Sequence, residues 1–377
     1  MGQVIKMPEL QNILEQYGKQ YKEKHNLPIY VKKTLNAIEK CRTAELGAHE
    51  DICDHCGHKK ISYNSCRNRH CPKCQTSAKE KWIYNQKFNV LNVQYFHVVF
   101  TIPDILNKVV YYNQTKMYNI MFKAVSETLQ ELAKDKKYLG AQIGFTTILH
   151  TWGQNLKDHP HIHCIVPAGG LDSLGKWRNS KKKFFIPVKV LSKVFRGKLI
   201  YYIKQEKLDF CKEIEELKIS QEFDKFISLL YSKDWVVYCK PPFKNANSVI
   251  EYLGRYTHRV AIANSRILNI DNGKVTFKWR DYRDKNKMKT MVLDADEFIR
   301  RFILHILPPR FMKIRHFGLL GNRNKTKKLT LCKTLTNTKV LTKENISPLE
   351  ILKKVSGKDF NLCPVCGIGH LIRPSPA

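Results

Sequence analysis

Long apolar runs are missing from this sequence. No stretch approaches the roughly 18 residues that cross a bilayer as a helix, so there is no transmembrane candidate. The opening MGQVIKMPEL lacks the charged-then-apolar order of a signal peptide. Lys6 stands where a myristoylation signal wants Ser or Thr. A cytoplasmic protein is expected. Acidic residues are also scarce: 33 Asp+Glu face 66 Lys+Arg, a formal net charge of +33. That excess is spread along the chain and exceeds what solubility needs. It implies a polyanion partner, nucleic acid first, because neutralised phosphates release counterions. A merely basic surface is the plainer alternative. A complete phosphate-binding loop is missing too. GLDSLGKW (170–177) puts Trp177 where a Mg²⁺-binding Ser or Thr would stand, so it reads as a Gly-rich turn.

Cysteine is plentiful, with 12 residues, and in a reducing compartment clustered cysteines read as metal ligands. Cys53, Cys56, Cys71 and Cys74 form C-x2-C-x14-C-x2-C, the spacing of a closed tetrahedral zinc site. A redox pair is the alternative, and it would need a thioredoxin-like context that is missing. Cys41, Cys66 and His70 are left as candidates for a second zinc, beside His49 and His58. The coat of Lys59, Lys60, Arg67, Arg69 and Lys73 suggests a module that holds DNA. CPVCGIGH (363–370) is half of a further site, with Cys332 or His370 as candidates to complete it.

The organisation is mixed. Residues 1–40 read as helix interrupted at Pro28. YFHVVFTI (95–102) is strand-like, and a periodic helical stretch follows Pro103. IGFTTILHTWG (143–153), HIHCIV (161–166) and WVVYCK (235–240) read as strands, and 187–232 as helices. DNG (271–273) signals a hairpin turn. Asp294 with Glu297 resembles a capping box before a helix that Pro308-Pro309 stops. The order β-α-β-β, helices, β-α-β suits an α+β fold with an antiparallel sheet of the split βαβ type.

Strand alternation puts His161 and His163 on one face, with Ile162 in the core. Two imidazoles in register can chelate a divalent ion, or they can be a hydrogen-bonded core pair. His159 is expected on the approach loop, before Pro160. Tyr252 and Tyr256, spaced i, i+4, share a helical face among Arg255, His258 and Arg259. An aromatic core stripe is the plain reading, but that setting suits tyrosines facing phosphate. A metal-polarised phosphate attacked by tyrosine would leave a 5′-phosphotyrosine and a free 3′-hydroxyl.

Taken together, these motifs resemble the rolling-circle HUH two-tyrosine transposases of the insertion sequence ninety-one family. SCRNRHCPKCQ is similar to that family's zinc-binding domain, HVVFTIP (97–103) to its first catalytic strand and HTWGQNLKDHPHIHCIVPAGG (150–170) to its histidine block. VIEYLGRYTHRVAIAN resembles the tyrosine block, and RRFILHILPPRFMKIRHFGLL the segment after it. The resemblance implies a single-strand DNA nuclease and strand transferase using Mg²⁺ or Mn²⁺ at the catalytic site and structural Zn²⁺. His161 and His163 would hold the ion and Tyr252 and Tyr256 would be the nucleophiles. A third ligand is implied; Gln154 is the candidate, with His97 and His258 as rivals. Arg67, Arg69, Arg255 and Arg259 would contact DNA.

The expected layout is a helical segment at 1–40, a zinc module at 41–85, an HUH catalytic domain at 90–320 and a loose basic tail at 321–377. Its partners would be single-stranded element ends and target DNA. With no helicase motif, strand displacement would fall to host replication or helicase proteins. Two alternatives stay open at this point: a plasmid replication initiator or relaxase with the same chemistry, and an inactive zinc-dependent DNA-binding protein.

Overall fold

Pro28 separates the first two helices, α1 (Leu10–Lys24) and α2 (Ile29–Glu39). Its fixed φ suits the residue just before a helix, and its missing N–H costs nothing there. The hairpin of β1 (Ala48–Cys53) and β2 (Lys59–Tyr63) follows. Next comes α3 (Pro72–Lys87), opened by Pro72 in its first turn. This computed structural model describes residues 7–374 apart from 181–185, 244–247, 250, 251, 253, 255–259, 283, 343 and 345.

The central sheet grows from β3 (Tyr95–Thr101), which leads through α4 (Asn107–Tyr112) and α5 (Gln114–Lys134) to β4 (Gly144–Trp152). β5 (Asp158–Pro167) then turns back between β3 and β4 and is antiparallel to both. β3 and β4 are therefore parallel with one strand inserted, a split βαβ unit. The hairpin β6 (Gly169–Leu171) and β7 (Trp177–Asn179) holds GLDSLGKW, whose turn is closed by Asp172 accepting from the Leu174 and Lys176 amides. After α6 (Val188–Gln205) and α7 (Ser220–Ser232), β8 (Val237–Phe243) adds beside β3.

Three strands, β9 (Ile267–Asp271), β10 (Lys274–Asp281) and β11 (Lys287–Asp294), form a separate antiparallel sheet. Asn272 and Gly273 both take positive φ in the β9–β10 turn, as a type I′ hairpin requires. α8 (Ala295–Ile303) starts at Asp294, but Asp294 makes no side-chain cap and the expected capping box does not form. Glu297 instead binds Arg300 and Arg301 on its own helix. β12 (Ile314–Gly318) completes the central sheet in the order β12-β4-β5-β3-β8.

Residues beyond 320 are not loose throughout. α9 (Lys325–Leu335), α10 (Pro348–Ser356) and β13 (Leu371–Ile372) are formed, and β13 joins β1 and β2 as a third strand. Ser347 caps α10 through the Glu350 amide, and Glu350 returns to the Ser347 amide.

Alternation decides what each face of the central sheet does. Phe96, Val98, Phe100, Ile162, Cys164 and Val166 point to one side, into a core with the apolar stripes of α5 and α6. Burying each such side chain contributes about 1.5–3 kcal/mol. The other side carries the histidines. A second core joins α1 and α2 to the β9–β11 sheet and α8, through Leu10, Leu14, Leu35, Phe277 and Phe298. The N-terminal helices are thus packed against a distant part of the chain rather than standing alone. Among the described residues no helix is long and apolar enough to cross a membrane.

Candidate active site and metal centres

His161 and His163 lie on β5 two residues apart, on the face away from the main core. Opposite His161, in register on β4, stands His150. The ring nitrogens of His150, His161 and His163 that could bind an ion lie within 4.8 Å of one another. His161 donates through Nδ1 to the His159 carbonyl at 2.6 Å. With the proton on Nδ1, Nε2 is the nitrogen that would bind an ion, a common outer-shell arrangement around metal-bound histidine. His163 Nε2 faces His150 Nδ1 at 3.1 Å. Trp152 stacks on His150 with ring centroids 4.8 Å apart, fixing the ring plane. His159 belongs to β5 itself rather than to an approach loop.

On β3, His97 sits on the same face, one diagonal step from His163. Its Nε2 lies 2.8 Å from His163 Nδ1, and its Nδ1 lies 2.8 Å from the Tyr252 hydroxyl. Burial pushes the His97 pKa down to about 3, and nearby Lys240 pushes the same way, so the ring is neutral. Lys240, opposite His97 on β8, stands 6.0 Å from the centre of the Tyr252 ring. Tyr252 lies on a helical turn with Ser248, Val249 and Gly254, packed against Phe243. At Gly254 a Cβ would come within 2.2 Å of the Ile83 side chain of α3, so a larger residue would force that side chain or the turn to move. Tyr256, Arg255, His258 and Arg259 fall outside the described residues.

Gln154 is not where the sequence reading put it. The β4–β5 turn spans residues 153–157, closed by the Gly153 amide on the Lys157 carbonyl. Gln154 lies in that turn and its side chain donates to the Tyr282 hydroxyl at 3.1 Å. The strand partner of His161 is His150, four residues earlier. His97, the described rival, stands one hydrogen bond behind the cluster.

The cysteines regroup. Cys41, Cys66, Cys71 and Cys74 form one cluster, and Cys53, Cys56, Cys363 and Cys366 another. The expected set of Cys53, Cys56, Cys71 and Cys74 is not brought together, because β1 and β2 carry Cys53 and Cys56 away from the start of α3. Cys71 precedes α3 and Cys74 lies in its first turn, while Cys41 follows Lys40, the C-cap of α2. Sγ separations within the first cluster are 3.6 Å for Cys41–Cys74, Cys66–Cys74 and Cys41–Cys71. A zinc tetrahedron with Zn–S near 2.3 Å has S···S edges of about 3.8 Å, so the donors fit this ion. Contacts with the Cys66 and Cys71 thiols push the Cys74 thiol below its usual pKa. His70 is not a ligand here. Its Nε2 accepts from the Leu307 amide at 3.3 Å, and burial pushes its pKa down to about 3. Neither Cys332, buried beside Leu329, nor His370 completes the CPVCGIGH half-site; Cys53 and Cys56 do.

Arg69 is also placed otherwise than expected. Its guanidinium donates to the carbonyls of Phe311, Pro308 and Leu307 at 2.5, 2.7 and 3.3 Å. It ties the cysteine module to the segment before β12. Lys73 pairs with Glu9 at 2.6 Å. Arg67 is exposed and takes φ of 53°.

Comparison with known proteins shows the family. A family model described as "Transposase zinc-binding domain" matches residues 13–102, and one described as "Putative transposase" matches residues 144–328. The chain is 43% identical over 375 residues to the "Putative transposase y4qJ" of Sinorhizobium fredii, covering 97% of this chain and 94% of that protein. It is 28% identical over 301 residues to the "Transposase for insertion sequence element IS801" of Pseudomonas savastanoi pv. phaseolicola, covering 77% and 70%. Among solved structures, the conjugative relaxase TrwC in complex with oriT DNA aligns at 10% identity and a TM-score of 0.27, over 62% of this chain and 90% of that one. A TrwC complex with mutant oriT DNA aligns at a TM-score of 0.24 and 14% identity, over 35% of this chain and 56% of that one. With an α+β antiparallel sheet, cysteine clusters suited to zinc, and sequence identity over nearly its whole length, this chain belongs to the insertion sequence ninety-one family of transposases.

Proposed function

We propose that the protein cuts and rejoins one strand of DNA at the ends of its element through a 5′-phosphotyrosine, moving the element by a rolling-circle-type process. One observation carries this reading: three imidazoles converge on one sheet face, and a hydrogen-bonded histidine links them to Tyr252. His150, His161 and His163 would hold a divalent cation, which when bound polarises the scissile phosphate. Mg²⁺ and Mn²⁺ are the candidates; imidazole is a ligand of transition metals rather than of Mg²⁺, so of these two the donor set favours Mn²⁺.

The residues of the chain then divide the work. With an ion held at His163 Nε2, the His163 proton would sit on Nδ1 and donate to His97 Nε2. Neutral His97 carries its own proton on Nδ1 and donates it, as a hydrogen bond, to the Tyr252 oxygen. That bond favours the phenolate, whose unperturbed pKa is about 10. Tyr252 gives up its phenolic proton to solvent, its Oη attacks phosphorus, the bond between phosphorus and the 3′-oxygen breaks, and the 3′-oxygen takes a proton from solvent and leaves as a hydroxyl. Rejoining reverses the step, so no nucleotide is hydrolysed. Lys240 would pair with the phosphate beside Tyr252. Tyr256 would be the second nucleophile, and Arg255 and Arg259 further phosphate contacts.

The test is a denaturing gel of protein mixed with labelled single-stranded element ends, with Mn²⁺ or with chelator. A metal-dependent covalent band lost in Tyr252→Phe supports Tyr252 as first nucleophile. A band lost only when Tyr256→Phe is added means that either tyrosine can start. Tight binding of the ends with no covalent band under any condition would overturn the reading in favour of an inactive DNA-binding protein.

A further inference from the structure

Two knuckles of the same build meet at Cys53, Cys56, Cys363 and Cys366, remote in sequence from the histidine cluster. In CDHCG (53–57) the Gly57 amide donates to the Cys53 carbonyl at 3.1 Å; in CPVCG (363–367) the Gly367 amide donates to the Cys363 carbonyl at 3.0 Å. Both glycines sit in the left-handed region, at φ 69° and 65°. The His55 and Cys56 amides lie 3.4 and 3.5 Å from Cys53 Sγ, and the Gly369 amide 3.4 Å from Cys366 Sγ. Such N–H···S bonds stabilise thiolate over thiol. Across the knuckles the sulfurs stand 3.7 Å apart, Cys53 from Cys366 and Cys56 from Cys363. That is near the edge of about 3.8 Å for a zinc tetrahedron.

We propose that these four cysteines bind a second structural zinc, which clasps the 363–372 segment to the β1–β2 hairpin and so holds α10 against α3. The surroundings are built for closure. β13 pairs with β1, Cys53 opposite Leu371 and Ile52 opposite Ile372. Asp54 accepts from the His370 amide at 2.7 Å and its own amide donates to the His370 carbonyl at 3.1 Å. A Cβ at Gly369 would come within 2.5 Å of Asp54 Oδ1 and 2.7 Å of Cys53 Sγ, so the approach needs glycine. α10 packs on α3, and α3 presents Ile83 to Gly254 beneath the turn of Tyr252. The clasp therefore stands behind the support of that turn. Its metal does not depend on Tyr252 being a nucleophile.

The full chain would be washed with a mild chelator to strip the histidine site, then analysed for zinc by mass spectrometry and for thiols by iodoacetamide mapping. Two zinc ions per chain are expected, with Cys56 protected although it is exposed. In the Cys363→Ser/Cys366→Ser variant the count should fall to one, with Cys53 and Cys56 becoming reactive and Cys41, Cys66, Cys71 and Cys74 staying protected. Cys53 and Cys56 still protected in that variant would overturn the proposal. If the variant loses all protection by unfolding, the wild type decides. Two zinc ions with Cys56 and Cys366 protected uphold the site, and one zinc with both alkylated overturns it.

Discussion

The rings of His97 and His163 lie nearly parallel, 11° apart, and share a 2.8 Å contact between Nε2 and Nδ1. His97 has no nitrogen left to bind an ion, because its other nitrogen meets Tyr252. On the proposed mechanism its place is to set the tautomer of His163 and the hydrogen bond received by Tyr252. Outer-shell partners of metal-bound histidine are worth about 10- to 100-fold in affinity or activity. His97→Ala should therefore slow covalent adduct formation by about that factor and raise the Mn²⁺ concentration needed. Measuring adduct rate against Mn²⁺ checks it. An unchanged rate at every Mn²⁺ concentration would remove His97 from the mechanism.

A second expectation separates His150 from Gln154. His150→Ala removes one of three converging nitrogens and should lower adduct formation by about 100-fold or more, since a lost Lewis acid forfeits several kcal/mol. Gln154→Ala loses a single turn contact to Tyr282 and should leave metal affinity unchanged. Calorimetric titration of Mn²⁺ into both variants distinguishes them. The reverse ranking would restore Gln154 as the ligand.

His161 and His163 were legible because strand alternation is local: two residues apart means one face. His150 was not, because its place depends on where the β4–β5 turn begins, and a shift of a few residues in that turn changes the partner of His161. The split βαβ order was readable from strand and helix signals alone, but the position of β5 between its neighbours is a pairing choice. The cysteine error has the same origin. Adjacent C-x2-C pairs invite each other, whereas the real partner of Cys56 is 307 residues away. The tail looked loose because it is basic and poor in aromatics. The order comes from burial of Leu329, Cys332 and Ile351, from helix capping by Ser347 and from the meeting of four thiols, none of which is visible in the local composition.

Asp158, at the start of β5, offers a pH test. Burial raises its carboxyl from 3.8 to about 6, against the opposing pull of Arg300. Between those values the folded state holds the proton more firmly than the unfolded chain. The resulting stabilisation is complete below pH 3.8 and is lost as pH rises through 6, with a slope of at most about 1.4 kcal/mol per pH unit. Asp158→Asn cannot ionise, so its stability should not fall across that window. Urea midpoints of both proteins at pH 4.5 and 7 measure this. A wild type that gains stability relative to the variant on going to pH 7 would show that the carboxylate, not the acid, is the favoured form.

Arg69 and Arg67 lie two residues apart and should fail in opposite ways. Arg69 holds three backbone carbonyls of the 307–311 segment from a half-buried position, which pushes its pKa down. Arg69→Ala strands those carbonyls and should cost about 2–3 kcal/mol of stability, seen as a lower denaturation midpoint. Its effect on DNA affinity, measured well below that midpoint, should be small. Exposed Arg67 has no structural work of that kind. Arg67→Ala should change stability by less than about 0.5 kcal/mol and lower the slope of log affinity against log salt by about 0.7 on a single strand. If Arg69→Ala instead kept full stability and reduced that salt slope, its guanidinium would have left the carbonyls for phosphate, and the cysteine module would meet DNA through the very face that here packs against the segment before β12.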